Sequence, residues 1–517
     1  MSDARAALLD GEVIGVPIDV FHVTLLIGAA VLLVSILAVR LSVRIGLPSL
    51  LIYLAFGLLL GQDGFGGLAF DNAVLAQTLS FAALIIILSE GGLTTRWQHV
   101  RPAMPVGLAL AVVGSLVSTG VVAAAVHFLL GQPWDLALLI GAVTAPTDAA
   151  AVFSILRSVS LPRRLSGALE AEAGFNDAPV VLLVTVLSLP SAHDQGILQL
   201  GATMAFELVG GTAVGMAIGW LGARAVRQVA LPSSGLYPLA VMGLCVLAYA
   251  GATQLHTSGF AAVYVAALVL GNASLPHRRT VQSFAEGLGW VAQIGLFVML
   301  GLLATPSRIG LGDIATSLLI AAVLMLVARP LAVIASAAWR RVKWRDQVLL
   351  AAGGLRGAVP IVLCTIPLAN GVEGATEVFD VVFVLVFLMT LVQSPLVPVL
   401  ARRLGLADDA PRDLEVEVAP LDRIDAELMD VAIEGDSRLR GLEVRELRLP
   451  GGARLALVVR GERTFPPEGD TVLRRGDRLV VVAPRESRQE TEQRLRSLSQ
   501  RGRLGYWSGG SGNRDDS

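Results

Sequence analysis

The 517-residue chain is more apolar than an ordinary soluble domain. Hydrophobic residues make up 54% of it, charged residues only 16%, and the mean hydropathy is +0.69. This composition indicates a polytopic membrane protein, and the net charge of -2 disfavours a nucleic-acid partner. The two cysteines, Cys245 and Cys364, lie within apolar runs, which favours core packing over a disulfide or a metal cluster.

Apolar segments of about 20 residues predict an all-α membrane domain with some thirteen spanning helices. The start of the chain lacks the basic region and cleavage site of a signal peptide, so we expect the first helix to insert uncleaved. The predicted spans are 20–39, 46–61, 73–90, 104–130, 135–156, 167–190, 198–223, 236–251, 258–272, 284–304, 314–338, 347–370 and 379–400.

Basic residues alternate between the loops on the two sides of the membrane. The loops of one side carry seventeen Lys and Arg residues, whereas those of the other side carry only Arg5 and Arg308. Loops rich in Lys and Arg remain in the cytoplasm. The alternation therefore predicts a protein of the cytoplasmic (inner) membrane with its N-terminus outside and its C-terminus in the cytoplasm.

The composition changes abruptly after the last apolar segment. A transmembrane domain at 1–403 is followed by a polar linker at 404–412. Residues 413–488 then show short apolar runs separated by turns rich in Gly and Pro, which predicts a small cytoplasmic α+β domain. A polar tail at 489–517 is expected to be partly disordered.

Four carboxylates lie in or beside segments that are apolar enough to span a bilayer. They are Asp148, Glu170, Glu172 and Asp177. A charged side chain at the membrane centre costs roughly 2.5 to 3.5 kcal/mol on insertion scales, so an intramembrane carboxylate is a functional candidate. We therefore expect the functional site in this part of the chain.

The segment 167–190 contains an acid, an amide and a second acid at helical spacing. On a helix, Glu172 and Asn176 lie one turn apart and Asp177 is adjacent. Because burial disfavours the charged form of a carboxyl group, a proton and a monovalent cation can compete for Asp177. This competition predicts antiport; hydrogen bonding that only joins helices is the alternative.

Two spans carry residues that interrupt helices. Pro146, within TAPTD, removes a backbone donor, and the segment 353–360, GGLRGAVP, places three glycines and a proline in an apolar run. Two interrupted spans in corresponding positions of two halves point to a transporter site. Asp148 and Arg356 have the charges needed to balance the helix ends.

Two arginines lie inside predicted spans and keep their charge at any useful pH. Each therefore needs a nearby anion. We pair Arg329 with Glu172 and Arg356 with Glu90. For Glu90, a position at the membrane interface is the alternative interpretation.

The motifs TAPTDAAAV, EAGFND, ARP and GGLRGAVP, in this order, resemble those of the NhaP-type monovalent cation/proton antiporters, relatives of the animal sodium/proton exchangers. The resemblance covers about residues 20–403. It implies a bundle of thirteen helices with inverted repeats and two unwound crossing helices. It also implies a homodimer and elevator-type alternating access.

The resemblance also implies roles for individual residues. An Asn-Asp pair in relatives accompanies electroneutral one-for-one exchange, while Ala173 replaces a serine common in relatives and leaves the sodium preference open. Asp148, Arg329, Arg356 and Glu90 are assigned to neutralise charges in the core of the bundle, in the pairs given above. The implied cation- and proton-binding residues are Asp177, Asn176, Thr147 and Glu172, with the cation at Asp177 and Thr147.

The C-terminal segment resembles the TrkA-C (RCK-C) regulatory domain. An antiporter joined to this domain is similar to the potassium/proton antiporters of the cell-volume-regulation type. No Gly-rich dinucleotide fingerprint precedes the domain. We expect no cofactor; a small-molecule or nucleotide regulator is one interpretation of the domain, and a role in oligomerisation or stability is the other.

These features predict an antiporter that exchanges K+, or alternatively Na+, for H+, and whose partners are membrane lipid and a second copy of the chain. A ligand-gated cation channel is disfavoured because no filter motif such as TVGYG appears. A membrane enzyme is disfavoured because neither a GxSxG nor an HExxH motif accompanies the acids.

Overall fold

A computed structural model of the chain contains two compact units, Met1–Asp408 and Asp409–Ser517. The structure describes residues 18–45, 49–148, 151–152, 161–189, 197–229, 231–337, 340, 342–406, 416–420, 426–433, 437–461 and 463–501.

The first unit is built from α-helices. Apolar side chains dominate these segments, and their buried members form one large core and a small cluster of Ala248, Ala252, Ala262 and Ala266. A short helix lies at Trp97–Val100. The longer helices are α1 (Ile18–Ile45), α2 (Ser49–Leu60), α3 (Ala73–Thr94), α4 (Met104–Leu130), α5 (Trp134–Thr144), α6 (Arg163–Phe175), α7 (Asp177–Leu187), α8 (Ile197–Gln228), α9 (Leu236–Gln254), α10 (Gly259–Asn272), α11 (Arg278–Leu303), α12 (Leu311–Ala337), α13 (Trp344–Ala352), α14 (Ala358–Ala369) and α15 (Ala375–Arg403).

Seven of the described helices are long and apolar enough to cross a membrane. They are α3, α4, α8, α9, α11, α12 and α15. The sequence predicts about thirteen spans, and the others fall on helices that are interrupted or whose apolar part is shorter, such as Leu25–Ala38 within α1. The helical membrane character of the unit is thus confirmed, while the number of spans stays a prediction.

Both interruptions predicted by the sequence are present. Helix α5 ends at Thr144 and is followed by the non-helical residues 145–148, where Pro146 has no N–H to donate. Helix α13 ends at Ala352, and the non-helical residues 353–357 separate it from α14. Each break leaves backbone groups without a helical partner.

A third break divides the predicted helix 167–190 into α6 and α7. Asn176 lies between the two helices. Its N–H still donates to Glu172 O at 2.9 Å, but the hydrogen bond from Val180 N to Asn176 O is long, at 3.4 Å. The break places Asp177 in the first turn of α7. The prediction of one continuous helix over 167–190 is therefore wrong at this position.

Two long helices each contain one wider, π-helical turn. These turns are Leu110–Gly114 in α4 and Leu324–Ala328 in α12. Each π turn contacts the helix that contains the other one. Ser336 Oγ on α12 also donates to Ala109 O on α4 at 3.1 Å. A π turn shifts the helical register locally and often occurs at functional positions; here Arg329 follows the second turn directly.

Both cysteines are buried and free, Cys245 in α9 and Cys364 in α14. The core packing predicted for them is therefore confirmed. Another close contact in the core joins α2 and α11, where a Cβ on Gly57 would lie 2.1 Å from Val298 O. Only glycine allows the two helix backbones to approach this closely.

The second unit contains a five-stranded antiparallel sheet with strand order β1-β2-β5-β3-β4. Alternate residues of the central strand β5 are buried, including Leu479, Val481 and Ala483. The predicted strand-rich domain is confirmed, and part of the predicted tail, 502–517, lies outside the described residues. Its elements are β1 (Val416–Pro420), β2 (Ala426–Ala432), β3 (Arg454–Arg460), β4 (Arg463–Phe465), β5 (Asp477–Pro484) and α16 (Arg488–Arg501).

A buried ion pair joins β3 to β5. Asp477 accepts hydrogen bonds from Arg460 Nε and Nη2, both at 2.8 Å, and from Arg474 N at 2.8 Å. Burial by itself raises the pKa of Asp477, but the hydrogen bonds from Arg460 and Arg474, together with their charges, outweigh it and hold the pKa below its usual value. The ionised pair therefore stabilises the folded domain.

We expect Asp477→Asn to lower the free energy of unfolding of this domain by about 2 kcal/mol, because it removes charged hydrogen bonds from a buried site. Because the folded-state pKa is lowered, the wild-type stabilisation is present above about pH 4 and is lost as the pH falls further. Hydrogen exchange of β5 amides in the full-length protein measures both effects. Asp430→Asn, which breaks the more exposed pair with Arg478, is the matched control, and an equal loss in both variants would contradict the prediction.

Candidate functional site

The two segments that interrupt helices lie against each other. Asp148 N donates to Leu355 O at 2.9 Å, and Ala358 N donates to Asp148 Oδ2 at 2.7 Å. Ala358 is the first residue of α14, so the Asp148 carboxylate satisfies a free N–H at the positive end of that helix. This contact is the helix-end balance that the sequence predicts for Asp148.

Arg356 is buried and binds the carbonyl end of the other broken helix, α5. Its guanidinium donates to Thr144 O at 3.1 Å and Ala145 O at 2.9 Å, both at the end of α5, and to Gly354 O at 2.7 Å. The predicted pair of Arg356 with Glu90 is therefore wrong. Carbonyl groups that have lost their helical partners supply the negative charge instead, and backbone groups of this kind leave no sequence signature.

Glu90 lies on α3 and faces α11 rather than Arg356. Its side chain occupies space left by the missing side chain of Gly289, where a Cβ would lie 3.0 Å from Glu90 Oε2. Glu90 is half-buried.

Arg329 and Glu172 form the buried pair that the sequence predicts. The two nitrogens Nη1 and Nη2 donate to the two carboxylate oxygens at 2.5 and 2.8 Å, and Nη2 also donates to Leu350 O at 3.2 Å. A Cβ on Gly354 would lie 2.2 Å from Arg329 Nε, so the glycine makes room for the guanidinium. Because Arg329 takes both oxygens of Glu172, the role of Glu172 as a direct cation ligand stays a prediction.

The structure brings Thr147, Asn176 and Asp177 together. Asn176 Nδ2 donates to Thr147 Oγ1 at 2.6 Å and to Thr147 O at 3.0 Å. All three residues are buried, and the negative charge of Asp148 acts on Asp177. Asn176 Oδ1 and both carboxylate oxygens of Asp177 accept no hydrogen bond from the described residues.

A buried carboxylate without donors is unstable as a bare ion. It is stabilised when it takes up a proton or holds a cation, and the oxygens of Thr147 and Asn176 are suitable further ligands for a monovalent cation. The arrangement can therefore bind a proton or a cation at Asp177. Ala173 is buried one helical turn before Asp177, where it offers no hydroxyl.

Two residues that support the site were missed by the sequence analysis. Thr390 Oγ1 on α15 donates to Arg356 O at 2.9 Å. A Cβ on Gly357 would lie 1.7 Å from Asp148 Oδ2, so any larger residue here would displace the Asp148 carboxylate. The glycines of GGLRG were a usable signal, because glycine in an apolar run often marks close approach; Thr390 offered none.

Comparison with known proteins places this geometry in a family of membrane transporters. Residues 29–403 match the family described as "Sodium/hydrogen exchanger, transmembrane", and residues 428–496 match the TrkA-C domain. The chain belongs to the sodium/hydrogen exchanger family and carries a C-terminal TrkA-C domain. The resemblance drawn from the sequence motifs is confirmed.

Individual relatives agree with this assignment. The chain is 35% identical over 475 residues to the K(+)/H(+) antiporter NhaP of Alkalimonas amylolytica, which covers 90% of this chain and 82% of that protein. It is 35% identical over 474 residues to the K(+)/H(+) antiporter NhaP2 of Shewanella sp. (strain ANA-3), covering 89% and 81%. The solved structure of the sodium proton antiporter MjNhaP1 from Methanocaldococcus jannaschii superposes with a TM-score of 0.61 at 21% identity, over 73% of this chain and 97% of that one. These relatives are transporters and not enzymes.

We expect Glu172→Ala to destabilise the protein by about 3 to 5 kcal/mol, because it leaves the buried Arg329 without its anion. The double variant Glu172→Ala/Arg329→Met removes both charges and should recover much of this loss. Thermal unfolding and the folded yield in detergent measure the effect. A single variant as stable as the wild type, or a double variant less stable than the single one, would contradict the importance of the pair.

Proposed function

We propose that this protein exchanges K+ for H+ across the cytoplasmic membrane, one cation for one proton. The observation that carries the proposal is the buried Asp177 carboxylate, whose two oxygens accept no hydrogen bond from the described residues. Asn176, the preceding residue, donates to Thr147 Oγ1 and to Thr147 O. Cation and proton compete for this carboxylate, so loading one requires release of the other.

The stoichiometry follows from the charges around Asp177. Asp148 binds the N-terminus of α14, and Glu172 binds Arg329. Asn176 is an amide and does not titrate. Of these residues only Asp177 then changes its occupant, and one carboxylate holds either one proton or one monovalent cation. Exchange is accordingly electroneutral.

The site residues divide into two groups. Asp177, Asn176 and Thr147 bind the transported ions, with Glu172 next to them. The other residues hold the framework: Asp148 and Arg356 balance the broken helix ends, and Arg329 balances Glu172.

Potassium is the preferred cation of this proposal. The two relatives at 35% identity are named K(+)/H(+) antiporters, and the chain carries a TrkA-C domain. Ala173 supplies no hydroxyl ligand near Asp177. Sodium is the alternative, favoured by the name of the family and of the solved relative MjNhaP1.

The fold proposed for transport is a bundle of thirteen membrane helices built from two inverted repeats. Its support is an order of elements that occurs twice: a helix with a π turn, then an interrupted helix, in α4 and α5 and again in α12 to α14. Alternating access proceeds by elevator movement of the helices that hold Asp177. Two copies form a homodimer.

The remaining organisation follows the sequence. The exchanger domain at 1–403 is joined by the linker 404–412 to a regulatory domain at 413–488, and the tail is 489–517. The N-terminus lies outside and the C-terminus in the cytoplasm, as the basic loops indicate. A small molecule or nucleotide binds the regulatory domain and sets the rate of exchange; no cofactor takes part.

We expect Asp177→Asn to abolish exchange and to leave insertion intact, because an amide cannot bind a proton and a cation alternately. The measurement uses inside-out membrane vesicles with a respiration-driven pH gradient and a pH-sensitive dye, to which KCl or NaCl is added. KCl should collapse the gradient in the wild type and not in the variant.

Glu286→Gln, which removes an exposed acid from the spanning helix α11, is the control and should retain exchange. Collapse by NaCl alone would assign the protein to sodium exchange through the same site. Exchange retained in Asp177→Asn would remove this residue from the carrier role.

We expect deletion of residues 413–517 to preserve cation/proton exchange and to change its dependence on pH, because Asp177 and its neighbours all lie in the first unit. The vesicle assay over a range of pH values measures this, with membrane levels of both proteins matched by immunoblot. A truncated protein that inserts normally but does not exchange would show that the C-terminal domain is needed for the transport cycle itself.

A further inference from the structure

An apolar groove of about 620 Å³ lies in the first unit, away from the Arg329 and Arg356 contacts. Helices α8 and α10 form one wall, and the start of α4 with the end of α6 forms the other. Its volume falls within the range of small-ligand sites. Because α4 and α8 are apolar enough to cross a membrane, the groove lies among lipid-facing helices. The lining includes Trp97, Met104, Phe175, Met216, Val265 and Asn272.

One end of the groove is closed by a fixed polar contact. Trp97 N donates to Asn272 Oδ1 at 2.8 Å, and Asn272 Nδ2 donates to Thr95 O at 2.9 Å. Trp97 is 40% exposed. Tryptophan with one apolar face and one polar edge is typical of the membrane interface, so this end lies at headgroup depth.

Two arginines lie together at the same end. Arg96 directly precedes Trp97, and Arg278 is the first residue of α11. Gln282, one turn after Arg278, donates to Leu93 O at 3.0 Å, which holds the start of α11 against the end of α3. The charge of Arg96 acts on Arg278. Within the described ranges, neither arginine has an acidic partner.

We propose that the groove binds one anionic phospholipid of the surrounding membrane. Its phosphate lies between Arg96 and Arg278, and one acyl chain follows the apolar wall toward Phe175. Two adjacent guanidinium groups without an anion repel each other, and a phosphate removes this repulsion through charge-assisted hydrogen bonds. Pockets lined by Lys or Arg between membrane helices, on the side of the membrane where the basic loops lie, bind anionic lipid headgroups.

A phospholipid is the proposed occupant because it accounts for both parts of the site, the two arginines and the apolar wall. A free phosphate would meet the arginines and leave the apolar wall bare, whereas an uncharged chain would leave the two arginines in mutual repulsion. Phe175 directly precedes Asn176, so the chain would end beside the ion-binding residues. Binding of the phospholipid does not depend on cation/proton exchange, so it can be measured separately from transport.

Trp97 supplies a direct readout, because bromine atoms on an acyl chain quench the fluorescence of a nearby indole. The full-length protein is placed in phosphatidylcholine vesicles that contain either brominated phosphatidylglycerol or brominated phosphatidylcholine. We expect stronger quenching by the phosphatidylglycerol, and the difference should disappear in Trp97→Phe. The preference for phosphatidylglycerol should fall about fivefold for each arginine removed in Arg96→Gln, Arg278→Gln and their combination.

Arg402→Gln/Arg403→Gln is the matched control, because it removes two exposed charges from the end of α15, away from the groove. It should retain the preference. Thr212→Phe, which fills the groove from α8, should abolish the preference although both arginines remain. Equal quenching by the two lipids in the wild type, no quenching at Trp97, or a preference that survives in Arg96→Gln/Arg278→Gln or in Thr212→Phe would overturn the proposal.

Discussion

Two helix breaks inside the membrane-spanning unit impose the constraint on which the site depends. Each break leaves backbone N–H or C=O groups without helical partners, and the residues of both breaks are buried. Asp148 accepts from the first N–H of α14, and Arg356 donates to the last carbonyls of α5. Because each charged side chain comes from the opposite broken segment, the two segments stabilise each other.

Glycines at close contacts make these interactions between the two broken segments possible. Gly357 leaves space for the Asp148 carboxylate, and Gly354 leaves space for the guanidinium of Arg329. Arg329 in turn joins Glu172 on α6 to the end of α13. Arg329 and Glu172 thus neutralise each other, whereas Asp148 and Arg356 are bound by backbone groups. The carboxylate of Asp177, by contrast, accepts no hydrogen bond from the described residues.

The two units differ in where their apolar side chains lie. In the C-terminal sheet, the Asp477–Arg460 pair links neighbouring strands of a domain with an ordinary apolar core. In the membrane unit, the spanning helices expose many apolar side chains on their outer faces. The proposed phospholipid uses one of these faces, and its headgroup site is formed where α3 and α11 meet. Membrane composition would then act on the same unit that holds Asp177.

The residue types along the chain are enough to predict the class of protein, the two breaks at TAPTD and GGLRGAVP, and the Glu172–Arg329 pair. These features follow from local chemistry: hydropathy, a proline without a donor, and buried charges that must be neutralised. The tertiary structure alone decided that Arg356 binds carbonyls rather than Glu90, that the helix divides at Asn176, and that the Asp177 oxygens stay without donors. The physical reason is that these outcomes depend on backbone groups, such as Thr144 O, 212 residues from Arg356. Every residue carries such a group, so its position in space cannot be read from residue type.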